Sequence, residues 1–69
     1  MTNIAILRGK IVERNTTQET VADEMGINRS TFYRKMKENG LPFTVGEVQR
    51  LAAILSLTGD DVMRIFFAQ

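Results

Sequence analysis

TQETVADEMGINRSTFYRKMKENG, residues 17–40, contains a capping hydroxyl, an apolar helical face, a glycine stop and a run of basic residues in unbroken order. Thr17 can cap a helix whose apolar positions are Val21, Ala22 and Met25. Gly26 ends that helix where a positive φ costs little. Ile27 follows, then Asn28 as the N-cap of another helix from Arg29 to about Lys37, with Phe32 and Met36 four apart on its inner side. Small Ala22 suits a close helix crossing, and inward Ile27 and Phe32 would leave the NRSTFYR surface facing outward. A short glycine-containing turn of this kind sets two helices at a steep angle, as in a helix-turn-helix spanning about 17–37.

Working outward, Ile4, Leu7, Ile11 and Val12 recur at helical spacing and predict an amphipathic helix over about 3–14, broken by Asn15 and Thr16. Beyond the stretch, Asn39-Gly40 should end the basic helix, and Pro42 should hold Leu41 extended, making GLPF a loop. Thr44-Val45-Gly46-Glu47 has the spacing of a capping box, and Val48, Leu51, Ala52 and Leu55 supply the buried stripe of a fourth helix. Thr58-Gly59-Asp60-Asp61 repeats the device before a C-terminal helix over about 59–67, with Val62, Ile65 and Phe66 on one face. No sustained period-two alternation predicts a strand. The expectation is a single all-α domain over residues 1–69, built from five helices with short connections.

The totals narrow the function. A chain of 69 residues can build one small core, burying roughly 60% of its extended surface. It has no cysteine and no histidine, which excludes a disulfide framework, a zinc finger and imidazole catalysis. No apolar run approaches the roughly 18 residues of a membrane span, and the N-terminus has no signal-peptide pattern, so a cytoplasmic protein is expected. There is no nucleophile beside a base, no phosphate loop and no metal-ligand set, so the sequence predicts neither enzyme, cofactor nor small-molecule substrate. Asp60 and Asp61 are a carboxylate pair, but adjacent helical residues point about 100° apart and capping accounts for them better. A formal net charge of +1 does not by itself point to nucleic acid. The distribution does more: four cations and no acid lie between Arg29 and Lys37. Such a run is most often a solvated face, and it is the preceding QETVADEMGI that gives it another meaning.

TQETVADEMGINRS resembles the Cro and repressor class of phage and prophage regulators, the lambda-repressor-like fold: a capping hydroxyl, a glutamine, an acid, Val-Ala, then Met-Gly and a β-branched residue. The order of one helix before this pair and two after it is also the family's. The Glu38-Asn39-Gly40 turn comes about two residues later than in the commonest members, so a longer third helix is expected. The resemblance implies a sequence-specific transcriptional regulator that occupies a double-stranded operator in a bacterial host cell and obstructs polymerase. Its third helix would enter the major groove, where side chains near the N-terminal end reach base edges: Asn28, Arg29, Ser30, Thr31, Tyr33 and Arg34. By the same resemblance Gln18 would bind a backbone phosphate, with Lys35 and Lys37 gripping phosphates further along.

One such module covers little DNA, and a symmetric homodimer would read two half-sites about one helical turn apart. Leu57, Met63 and Phe67 are candidates for that interface, lying off the face that Val62, Ile65 and Phe66 turn inward. The same patch would serve the alternative function, an antirepressor-like module that engages a repressor rather than DNA.

Overall fold

Each helix starts on a side chain that accepts a hydrogen bond from its own first turn. Asn3 accepts from the Ile6 amide, Thr17 from Thr20, Asn28 from Ser30, Thr44 from Glu47 and Thr58 from Asp61. The computed structural model describes residues 2–37 and 42–67. They form α1 (Ile4–Glu13), α2 (Gln18–Met25), α3 (Arg29–Met36), α4 (Val45–Ile54) and α5 (Gly59–Val62), the last running into a π-helical turn, Met63–Phe67. The protein is therefore all-helical, with no strand among the described residues. Both capping boxes close: Glu47 and Asp61 each accept from the amide of the threonine that caps them, at 2.8 and 3.0 Å.

Helices α1, α2 and α4 also end alike. A left-handed residue follows each: Asn15 (φ 55°), Gly26 (φ 74°) and Ser56 (φ 52°). The next amide then reaches back five residues, Thr16 to Ile11, Ile27 to Ala22 and Leu57 to Ala52, which satisfies carbonyls a helix end leaves open. Glycine takes this conformation without steric cost; Asn15 and Ser56 take it against the Cβ penalty. Two arginines secure these ends across the fold. Arg14 donates to the carbonyls of Leu55 and Ser56, and Arg50 to that of Met25.

The core is Leu7, Ile11, Val21, Ala22, Met25, Phe32, Met36, Leu51, Leu55, Ile65 and Phe66. Ile4, Ile27, Val48 and Val62 pack against it half-buried. α2 lies against both α3 and α4, and α1 against the C-terminal π turn, where the Asn3 amide also donates to the Ile65 carbonyl. Three aromatic rings run through the interior edge to face: Phe32 to Phe43 at 6.0 Å and Phe43 to Phe66 at 5.9 Å.

Several sequence expectations change. Val12 is 72% exposed, because it stands about 100° round α1 from buried Ile11. The C-terminal helix is four α-helical residues followed by five in a π turn, whose i→i+5 closure sets Ile65 and Phe66 side by side in the core. Helix α3 stops at Met36, where Lys37 turns extended (ψ 148°), so the expected longer helix is not seen among the described residues. The expected Asn39-Gly40 stop and the extended Leu41 lie outside the described residues. No helix among the described residues is long and apolar enough to cross a membrane.

Candidate nucleic-acid interface

Burial fixes which way α3 faces. Phe32, Lys35 and Met36 are buried, whereas Arg29, Ser30, Tyr33, Arg34 and Lys37 are exposed and Thr31 is half-buried. At about 100° per residue, Ser30, Arg34 and Lys37 fall together at the middle of the outer surface, roughly opposite Phe32. Tyr33 and Arg29 lie on the flank nearer Met36, and Thr31 on the other. Of the candidate base-reading residues, Ser30 and Arg34 thus share the outer surface, while Arg29, Tyr33 and Thr31 are spread over its two flanks and Asn28 caps the helix. Asn28 spends its Oδ1 on the Ser30 amide at 2.8 Å, and Arg34 makes a long contact from Nη2 to Thr31 Oγ1 at 3.4 Å.

The flank residues meet two acids of α2. Arg29 holds Asp23 through two parallel hydrogen bonds, Nε to Oδ1 at 3.1 Å and Nη2 to Oδ2 at 2.6 Å. One helical turn away on each helix, Glu19 and Tyr33 form the next pair, the hydroxyl favouring the charged Glu19 carboxylate. Glu19 and Asp23 are four apart on α2, and Arg29 and Tyr33 four apart on α3, so the two pairs make a polar ladder opening away from the Gly26 turn. The Tyr33 hydroxyl, helped by Glu19's own amide, holds the Glu19 carboxyl below 4.5. Arg29 does the same for Asp23, below 3.8, and the guanidinium is raised in return. Neither acid stood out in the sequence. The available signal was the pair of i, i+4 spacings on either side of the turn, acids before it and hydrogen-bond donors after it.

Lys35 corrects an expectation outright. Only 9% exposed, it is turned inward, with its ammonium 3.1 Å from Glu47 Oε1, 2.9 Å from the Pro42 carbonyl oxygen and over the Phe43 ring. Its place about 60° from Phe32 and 100° from Met36 puts it at the edge of the apolar stripe, where Glu47 of α4 and the Pro42-Phe43 segment cover it and its charge needs a partner. It is not available to a phosphate. Of the four cations from Arg29 to Lys37, Lys35 and Arg29 are therefore paired with Glu47 and Asp23, leaving Arg34 and Lys37. Gln18, the first residue of α2, is half-buried. Glu19 beside it puts a negative charge at the helix end where a phosphate would sit.

Leu57 is half-buried against the core. Met63 and Phe67, four apart on the π turn, are 58% and 57% exposed. Among the described residues no group of three or more acids could hold a metal ion.

The capping carboxylates give the fold a defined acid sensitivity. Burial works against the Glu47 charge, but the Thr44 amide and the Lys35 ammonium outweigh it and hold the carboxyl below 4.5. The Thr58 amide holds Asp61 below 3.8 despite some desolvation, with Lys10 contributing at 3.4 Å. Each group binds its proton more weakly folded than unfolded, so its stabilisation is complete above its ordinary value and lost as pH falls through the folded one. Urea midpoints should hold steady above pH 4.5 and drop below it. Glu47→Gln, which keeps the capping geometry without the charge, should flatten part of that drop. An equal drop in the Glu47→Gln protein would place the sensitivity elsewhere.

No protein-family model, curated protein or solved structure matches the chain.

Proposed function

We propose that this chain is a sequence-specific DNA-binding regulator of the lambda-repressor-like helix-turn-helix kind, with α3 entering the major groove of an operator. One observation carries the reading: Ser30, Arg34 and Lys37 share an open helical surface, while Phe32, Lys35 and Met36 on the same helix are sealed into the core. A helix fixed from behind and polar in front is the shape a major groove admits. Arg34 and Ser30 are the central base readers, with Arg29, Tyr33, Asn28 and Thr31 towards the edges. Lys37 and Gln18 contact phosphates on either side. Function is occupancy of a site, with no chemical step. Met63 and Phe67 are the surface through which two copies would pair, so that two α3 helices read one palindromic site.

Selection from random duplexes should enrich a palindromic site. On it, Arg34→Ala should weaken binding to the preferred sequence by about 1–3 kcal/mol and relax the choice at one base pair. With Arg34 on a base, Lys37 is the one cation of this stretch left for a phosphate among the described residues, so the salt dependence should be shallow for a DNA-binding protein. The slope of log K against log salt should be roughly −1 per protomer and roughly −2 for a dimer. Enrichment of no site would leave the second reading, an antirepressor-like module that engages a repressor. The internal neutralisation of Arg29 and Lys35 favours that reading to the extent that it lowers the positive field of α3.

A further inference from the structure

Asp23 is outside the basic helix, yet it holds the first residue of that helix by two bonds. An arginine has five N–H donors in a planar fork. Asp23 takes one from Nε and one from Nη2, which leaves three, two of them on the edge between Nη1 and Nη2. That edge points away from the carboxylate and offers two parallel donors, the geometry that matches O6 and N7 of a guanine. Both partners are more than half exposed, so the free edge is open to a ligand.

Charge decides which acceptor suits it. A lone arginine serves a phosphate or a base equally well, but with a carboxylate 2.6 Å from Nη2 the pair is neutral overall. A phosphate approaching the free edge would meet the Asp23 charge as well, whereas a neutral base edge would meet only aligned donors. The carboxylate also removes most of the arginine's rotamer freedom before binding, so less is lost on contact.

On the reading of α3 as a groove-binding helix, we infer that Asp23 is a specificity-determining positioning residue, which neutralises Arg29 and aims its free edge at a guanine rather than at the backbone.

The test compares wild type, Asp23→Asn, Arg29→Ala and the double variant on the enriched site and on all its single-base-pair changes, across a salt series. Both positions are exposed, and circular dichroism would check that each variant folds. Arg29→Ala is expected to abolish the preference for guanine at one base pair. Asp23→Asn should reduce the preference at that same pair by about tenfold, while binding to unrelated duplex rises and the salt slope steepens by about 0.9 as the freed arginine takes a phosphate. The double variant should be no less selective than Arg29→Ala alone. A merely structural role for Asp23 would weaken all sequences together and leave the slope unchanged. The inference fails, with the DNA-binding reading intact, if Asp23→Asn binds more tightly but keeps full discrimination, because the pair is then only a lock on Arg29. It fails equally if Arg29→Ala loses no discrimination. Failure of wild type to enrich any site overturns the DNA-binding reading and this inference with it.

Discussion

Phe32→Ala is expected to remove about 4 kcal/mol of folding stability. The side chain is fully buried in α3, on the side opposite Ser30 and Arg34. Its ring meets Phe43 edge to face, and Phe43 in turn meets Phe66 of the π turn, so one truncation loosens three parts of the chain. A domain of this length has roughly 3–10 kcal/mol in total. The variant should therefore lose about 40% or more of that stability, with the urea midpoint lowered in proportion. Phe32→Leu, which keeps most of the volume, should cost much less, since hydrophobic swaps of similar size are tolerated. The comparison separates folding from recognition. Phe32→Ala should lose DNA binding together with its helical signal, whereas Arg34→Ala should lose selectivity with the helical signal intact. A loss under about 2 kcal/mol for Phe32→Ala would mean that the ring is not the hinge between α3 and the rest of the core.

What could be read from the sequence was mostly local. Thr17, Asn28, Thr44 and Thr58 act as caps within three residues of their partners, so residue type and short-range spacing suffice to find them. The assignment of inner faces succeeded where the apolar residues are spaced three and four apart, as with Leu51 and Leu55. It failed at Ile11-Val12, where two adjacent apolar residues compete and the choice depends on how α1 rolls against its neighbours. Ser56 gave no hint of its left-handed backbone, because that conformation is imposed by closure of α4 and not by serine. Phe43 was read only as part of a loop. The proline rule speaks to the backbone and says nothing of a ring inserted between Phe32 and Phe66.

The site was legible in outline and misread in charge. A run of Arg, Tyr, Arg, Lys and Lys looks uniformly basic along a line, but two of its four cations have a partner on another element: Asp23 on α2 for Arg29, and Glu47 on α4 for Lys35. The first is six residues distant and the second twelve. Helical geometry puts Lys35 at the edge of the inward side, about 60° from Phe32, no further out than exposed Arg29, so the angle alone does not single it out. Identifying its partner required knowing that α4 packs back towards the end of α3, a tertiary fact. The consequence is that the exposed surface of α3 is less positive than its composition implies.

That consequence can be measured through Glu47. Glu47→Ala should cost about 3 kcal/mol, at the lower end of the range for breaking a buried ion pair, because the Lys35 ammonium keeps the Pro42 carbonyl and the Phe43 ring as partners. Part of the loss belongs to the capping box, since Glu47 also accepts from the Thr44 amide. Lys35→Met should cost a similar amount by stranding the carboxylate, whose side chain is only 12% exposed. Replacing both, Lys35→Met with Glu47→Leu, leaves neither charge behind and should recover most of the stability, as apolar replacements of buried pairs commonly do. A double-mutant cycle by urea denaturation would give the coupling, expected above 1 kcal/mol. The same stable double variant then tests the correction made to Lys35. If this lysine is neutralised inside the fold, removing it should leave the salt slope of DNA binding unchanged, whereas Lys37→Ala should make that slope shallower by about 0.9. Equal changes in the two proteins would mean that Lys35 leaves Glu47 for a phosphate when DNA arrives, and that α3 exchanges an internal ion pair for an external one on binding.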